Sequence, residues 1–404
     1  MLSLIYLLII VIAIVGLIKF RVNIALVLFA GAVLSGILFK IGFIGFFLTL
    51  LKSIISTDTL SLVATVILIM YLGALLEKRG DLARMLESLR ALILDSRLSL
   101  VIPSSIMGLL PMPGGALMSA PMLKEGAKDF NLTAASKTYL NFWFRHIWEY
   151  FWPLYPGLIL AASITQVPIF VIARFQFPLT LAAILAGLIF GLRRLPFKVT
   201  TQVLNKRFAL KKLLLSTWHI SIIIILVLAF KLNVLYVMVA ISFFVTILTR
   251  IKKDAWIGVI KQAFTYKTIF LLFSVMFFKA VLINSGAIDS LTSILKPEGI
   301  SLWFLLFIAP FLVGFLTGVN HAYVGVAFPI LLPFFVQNGI NLSYIMFAYA
   351  SGFAGILLSP VHLCLVLTKE YFKADFNPIY RLLIPPVVFV WLISLLMFFL
   401  YRLS

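Results

Sequence analysis

Ala74-Leu75-Leu76-Glu77-Lys78-Arg79-Gly80-Asp81-Leu82 aligns without a gap on Ala280-Val281-Leu282-Ile283-Asn284-Ser285-Gly286-Ala287-Ile288, at an offset of 206 residues. At the same offset Gly108-Leu109-Leu110 falls on Gly314-Phe315-Leu316. Small insertions then bring Pro121 onto Pro329, Asn131-Leu132-Thr133 onto Asn341-Leu342-Ser343 and Pro153 onto Pro360, at offsets of 208, 210 and 207. The chain therefore reads as a duplication whose copies carry glycine- and proline-interrupted apolar segments at matching positions. Such paired interruptions are the strongest sequence pointer to a binding site near the middle of a membrane.

Composition excludes a soluble globule. Of the 404 residues, 63% are hydrophobic and 11% charged, against about 25% charged in ordinary domains. Apolar runs long enough to cross about 30 Å of hydrocarbon recur along the chain. The first, Leu2 to Ile18, has no basic residue before it and no small-residue cleavage pattern after it, so it reads as a retained span. The net charge of +20 lies in short loops between apolar spans, which orients a membrane protein and argues against nucleic acid. The single cysteine, Cys364, allows no internal disulfide or thiolate cluster and reads as a packing residue.

Loop charge gives a topology. Arg193, Arg194, Lys198, Lys206, Arg207, Lys211 and Lys212 fall in one stretch without an acidic residue, which marks the 193–212 linker as cytoplasmic. Lys124, Lys128 and Lys137 mark a second inside loop, and Lys78, Arg79, Arg84, Arg90 and Arg97 a third. These agree if 100–123, with Pro103, Pro111, Pro113, Gly114, Gly115 and Pro121, is a re-entrant hairpin rather than a crossing. Residues 301–335 read the same way from the opposite side. Each half then has an odd number of crossings, so the second copy (213–404) is inverted relative to the first (1–192). The expected fold is an all-α polytopic membrane protein with about ten transmembrane helices in two inverted-topology repeats, each with a re-entrant hairpin and a broken helix. It would lie in the cell (inner) membrane with both termini outside. The alternative is a bundle of 12 spans in which each hairpin region is a pair of irregular crossings or a single kinked helix.

Gly314-Phe315-Leu316-Thr317-Gly318-Val319-Asn320-His321-Ala322 and Ala327-Phe328-Pro329, preceded by Leu282-Ile283-Asn284-Ser285-Gly286-Ala287, resemble the hairpin region of gluconate, C4-dicarboxylate and citrate permeases. These belong to the ion transporter superfamily. The resemblance implies a secondary transporter with a scaffold and a mobile, elevator-type transport domain, and a homodimer with one site per protomer. The chain departs from the pattern at Val319-Asn320-His321, at the first tip Met112-Pro113-Gly114-Gly115, and in lacking a Ser-Asn-Thr signature. Substrate therefore does not carry over with the fold.

Glu149 alone among the 13 acidic residues lies deep in an apolar segment. Asn141, Arg145 and Glu149 share a helical face at spacings of four, so Arg145 and Glu149 are expected to pair, either functionally or as a structural ion pair. His146 lies beside that face, and Pro153, Pro156 and Gly157 break the helix beyond it. Buried charges cost about 2.5–3.5 kcal/mol each on insertion scales, which makes them functional candidates. The second half offers Thr317, Gly318, Asn320 and His321 at its hairpin tip, and Ser359, Pro360 and His362 at its break. Histidine titrates near neutrality, and unwound backbone binds ions. Arg145, Asn141, Gly114, Gly115, Thr317, Gly318, Asn320 and Ser359 are thus the candidate substrate ligands. Glu149, His146, His321 and His362 are the candidates for coupling to H+ or Na+, with Na+ at the hairpin tips. Trp143, Trp148, Trp152 and Tyr155 read as lipid-facing, interfacial or core aromatics, His219 as interfacial, and Lys279 as a snorkelling or acid-paired residue.

The function expected is secondary transport of a small organic anion, a carboxylate or sugar acid, in symport with H+ or Na+. The rivals are a passive channel and an intramembrane enzyme. Against the enzyme stand the absence of acidic pairs at helical spacing for Mg²⁺ within the apolar spans and of the i, i+4 histidine pair of a zinc protease.

Overall fold

A computed structural model describes residues 2–93, 95–112, 115–193, 195–197, 206–249, 253–286, 300–336 and 339–403. These residues form helices and no β-strand. The first half contains α1 (Leu2–Lys19), α2 (Ile24–Leu38), α3 (Phe43–Ile55), α4 (Thr57–Lys78), α5 (Asp81–Leu92), α6 (Ser96–Met107), α7 (Gly115–Gly126), α8 (Ala134–His146), α9 (Pro156–Thr165) and α10 (Ile169–Ala186), the last continued by a π turn, Gly187–Leu192. The second half contains α11 (Lys206–Ile224, with a π turn Ile225–Ala229), α12 (Val234–Leu248), α13 (Lys253–Ala263), α14 (Tyr266–Asn284), α15 (Ile300–Thr317), α16 (Asn320–Val336), α17 (Leu342–Leu358), α18 (Leu363–Phe372) and α19 (Phe376–Leu403).

Six helical stretches among the described residues are long and apolar enough to cross a membrane. The surface is apolar too, with Phe43, Ile44, Leu214, Leu215, Phe243 and Phe244 exposed. Water would not tolerate that surface, and lipid does. The chain is an all-α protein embedded in the membrane.

Local chemistry sets the boundaries. Asn23 and Asn233 accept the second backbone N–H of α2 and α12, and Thr133 and Asn341 cap α8 and α17. Pro156 opens α9 at the first helical position, where its missing N–H costs nothing. Short α3 and α13 were not expected as elements. Their 13 and 11 residues fall below a span's length.

The packing crosses between halves. Helix α4 packs on α12 and α13, while α14 packs on α2 and α3. Helix α9 lies against α16, and α18 lies against α7 and α8. Glycines permit the tightest crossings: a Cβ on Gly108 would strike the Arg145 carbonyl, and one on Gly314 the Gly352 carbonyl.

Asp81, at the start of α5, is 1% exposed and ties the α4–α5 turn to α11. Its carboxylate stands 2.9 Å from Arg79 Nε, 2.5 Å from Arg84 Nη2 and 3.6 Å from His219 Nε2. His219 is not interfacial as expected but wholly buried on α11, with Nδ1 accepting the Ile220 N–H so that Nε2 carries its proton toward Asp81. Burial pushes the Asp81 carboxyl up, but His219, Arg84 and the Arg79 charge outweigh it and hold the pKa below the usual carboxylate value. A depressed pKa stabilises the fold above about pH 4, and that contribution is lost as pH falls through the folded value. Asp81→Asn is expected to cost about 2–3 kcal/mol, the low end for a broken buried pair because Arg84 is partly solvated. Thermal unfolding in detergent at neutral pH reads this directly, and an unshifted midpoint contradicts it.

Candidate functional site

The two interrupted helices meet. After α8 ends at His146, residues 147–155 run as turns before α9 begins, and Ser359–His362 separate α17 from α18. The first hairpin is α6 and α7, with 108–112 following α6, and the second is α15 and α16 around Gly318-Val319. Gly114, with Pro113, lies outside the described residues, as does 198–205 of the basic linker.

Arg145 is 5% exposed, so its stem does not reach a membrane surface. Nor does it pair with Glu149 as the four-residue spacing predicts, because the helix ends before Glu149 and the carboxylate turns away. Arg145 Nη1 donates to the Met107 carbonyl at 2.6 Å, Nη2 to the Met112 carbonyl at 2.8 Å, and Nε lies 3.4 Å from Cys364 Sγ. The guanidinium thus ties the first hairpin to α18 of the other half. Gly115 makes room for it, since a Cβ there would sit 2.8 Å from Nη1.

The unwound 147–155 segment continues that seam. Trp148 Nε1 donates to the Ser105 carbonyl (2.9 Å), Trp152 Nε1 to Leu109 (2.8 Å) and Tyr155 Oη to Gly108 (2.5 Å). The carbonyls at the end of a helix lack full helical partners, Ser105 accepting only the cap Gly108 N–H, and in lipid each unmet one is costly. The aromatics read from sequence as lipid-facing or core residues are therefore donors to the hairpin backbone. Their N–H and O–H groups at spacings of three and four, beside a Pro/Gly-rich hairpin, were the available signal. Trp143 Nε1 likewise donates to the Ala183 carbonyl, at 3.0 Å.

Glu149, 7% exposed, faces the second hairpin. Asn320 Nδ2 donates to its Oε2 at 2.7 Å, and Tyr349 Oη donates to its backbone carbonyl at 3.0 Å. Its Oε1 lies 3.7 Å from His146 Nε2. His146 Nε2 in turn stands 3.0 Å from His362 Nε2, across the boundary between halves. The outer ring nitrogens face backbone carbonyls, His146 Nδ1 that of Phe142 and His362 Nδ1 that of Gly318, each at 2.6 Å. Gly318 adopts φ +62°, and a Cβ there would press on the His362 backbone at 2.8 Å. Cys364 is no mere packing residue, since its sulfur closes a group with His146 and His362 within 4.8 Å.

The other candidates are placed less centrally. Asn141 is fully buried, and its amide accepts from Ser104 and Ser119 and donates to the Ala116 carbonyl and Thr368. That spends its hydrogen-bonding capacity on joining α6, α7, α8 and α18. Thr317 Oγ1 donates back to the Val313 carbonyl at 2.7 Å. Buried Ser359 accepts from Val361 N–H at the break. His321 is partly buried beside Asn320, and no hydrogen bond ties it to the group among the described residues. Lys279 Nζ donates to the Ser163 carbonyl at 3.2 Å, away from this centre.

Helices α7, α9, α16 and α18 all begin at this centre: α7 against Arg145, α16 on Glu149, and α18 at the histidine pair. α9 begins against Asn320, because a Cβ on Gly157 would overlap Asn320 Oδ1. Gly157→Ala is accordingly expected to displace Asn320 from Glu149 and cost about 1–3 kcal/mol, as overpacking does. A thermal midpoint equal to that of the parent contradicts this. Beside His146 lies a void of about 150 Å³, too tight for water and bordered by Trp143, Tyr150 and Phe353.

No curated protein matches the chain. The family described as "Protein of unknown function (DUF401)" matches residues 1–400, and the chain belongs to that family.

Proposed function

We propose that the protein is a secondary transporter of a small organic anion, a carboxylate or sugar acid, coupled to H+ or Na+ and working by alternating access. The observation that carries this is the convergence of the N-termini of α7, α9, α16 and α18 on a centre holding Arg145, Glu149 and the histidine pair. Each N-terminus presents unpaired N–H groups and about half a positive charge. Together with a guanidinium they favour an anion over any other ligand. Glu149 opposes that charge when ionised, so a cation that neutralises it strengthens anion binding. This is the physical basis for symport.

Further support comes from element-by-element correspondence. α9 and α18 each have 10 residues at an offset of 207, and α2 and α12 each have 15 at an offset of 210. Six of the nine described residues in the left-handed region fall in three pairs, Gly80 with Gly286, Gln166 with Lys373, and Arg21 with Lys231, while Lys40, Gly318 and Gly339 do not. Such backbone is rare outside glycine, so its recurrence at repeat offsets favours two copies of one fold. The 12 residues of α6 and of α7 extend about 18 Å each, too short for a crossing and right for a re-entrant hairpin. Together these favour ten crossings in two inverted repeats. The crosswise contacts favour a scaffold of α1–α4 and α11–α14 around a mobile body of α6–α10 and α15–α19, with the lipid bilayer and a second protomer as its partners.

A thermal-shift screen of carboxylates and sugar acids in detergent, with and without Na+ and across pH, tests the binding step. A ligand present at about 100 times its Kd raises stability by about 2.7 kcal/mol. A carboxylate whose stabilisation depends on pH or Na+ supports the proposal. No stabilisation by any anion in the panel, together with unitary currents in bilayers, overturns it in favour of a channel.

A further inference from the structure

The tautomers of the central histidines are fixed by what their outer nitrogens face. A backbone carbonyl only accepts, so Nδ1 of His146, 2.6 Å from the Phe142 carbonyl, carries a proton. The same holds for Nδ1 of His362 at 2.6 Å from the Gly318 carbonyl. Both neutral rings then present bare lone pairs at Nε2, and those lone pairs face one another at 3.0 Å. Two acceptors at that distance repel unless something electrophilic lies between them.

The choice is between a proton and a metal ion. Two imidazole nitrogens held about 2.0–2.1 Å from a tetrahedral zinc stand about 3.3–3.4 Å apart. The observed 3.0 Å is shorter and falls within the about 2.7–3.2 Å of a hydrogen bond. Cys364, the third group near the pair, already receives the positive Arg145 Nε at 3.4 Å, which opposes a divalent cation. Distance and charge both select the proton.

We infer that His146 and His362 share one bound proton between their Nε2 atoms, and that this proton is the coupling ion. The second clause rests on the transport reading; the first does not. Binding changes the charge of the pair from zero to +1 and breaks no covalent bond. From the turn after α8, the Glu149 carboxylate lies 3.7 Å from His146 Nε2 and offsets that charge. Of the other groups around the pair, α8 supplies Arg145 and α18 supplies Cys364. Tyr349 of α17 and Asn320 of α16 hold Glu149, and His321 follows on α16 without a hydrogen bond to the group. His146 belongs to the first broken helix and His362 to the second. Both breaks lie in the proposed mobile body, so the proton leaves when water or Glu149 reaches the pair, with the two breaks still together.

The chain has four histidines, so uniform ¹⁵N-histidine labelling of the whole protein in nanodiscs gives a resolvable set. Over about pH 5–8, the expected result is a pair of rings with both Nδ1 protonated and a ¹⁵N–¹⁵N coupling through one strongly downfield Nε2 proton. His362→Gln removes that coupling and the downfield signal, and His321→Gln leaves both in place. Two uncoupled, unprotonated Nε2 signals across the pH range overturn the inference. So does an equimolar transition metal in the purified protein whose chelation moves the His146 and His362 signals. The parent spectrum needs no variant, so a misfolded substitution does not blunt the test. Anion counterflow without the shared proton sinks this inference alone. The shared proton without counterflow sinks the transport reading and leaves the proton site standing.

Discussion

Replacing Arg145 with methionine is expected to abolish anion uptake, by about 100-fold or more, which corresponds to about 2.7 kcal/mol of lost binding. It is also expected to lower stability by about 3–5 kcal/mol through two charged hydrogen bonds lost and two carbonyls left unmet. Arg145 does two jobs with one group. It satisfies the Met107 and Met112 carbonyls and supplies the one buried cation beside the four helix N-termini. Arg145→Lys separates them: the charge remains, while an ammonium lacks the planar fork that reaches both carbonyls and Cys364 together. Lysine should therefore restore measurable anion-dependent stabilisation while leaving the thermal midpoint low. Uptake by the methionine variant at the parental rate would remove Arg145 from the site.

Glu149→Gln has the second large effect, and on a different quantity. The amide oxygen can still accept from Asn320 Nδ2, so folding should change by less than about 1 kcal/mol. What disappears is the charge 3.7 Å from His146. Uptake by the parent should change several-fold with pH, and in the variant that dependence should weaken and move to lower pH, because the proton on the histidine pair has lost the carboxylate that offsets its charge. Normal coupled transport by the folded variant contradicts the role assigned to Glu149.

Much of the helix plan was legible because membrane burial leaves local marks. The break at Ser359–Pro360 falls where proline's missing N–H predicts it, and Pro156 opens α9, but the first helix ends at His146, seven residues before Pro153. Glu149 and Arg145 stood out because an ionisable group in an apolar run has few explanations. Their partners were another matter. Helical spacing predicted that they would bind each other, but spacing holds only while the helix continues, and it ends at His146. His146 meets His362 across 216 residues, and Arg145 meets Cys364 across 219, separations that no local pattern reports. The role of Cys364 was missed for that reason, and those of Trp148, Trp152 and Tyr155 because aromatic rings in a membrane segment ordinarily signal lipid contact. α3 and α13 escaped because helices of 13 and 11 residues leave no span-length run of their own.

The central claim is that one anion-selective centre between the two broken helices is opened to either side in turn. Counterflow in proteoliposomes tests it most directly, using purified protein loaded with an unlabelled carboxylate and diluted into a labelled one. The account predicts saturable, transient accumulation of label above its external concentration, abolished by Arg145→Met. Flux that never overshoots, rises linearly with concentration and persists in the Arg145 variant would contradict it.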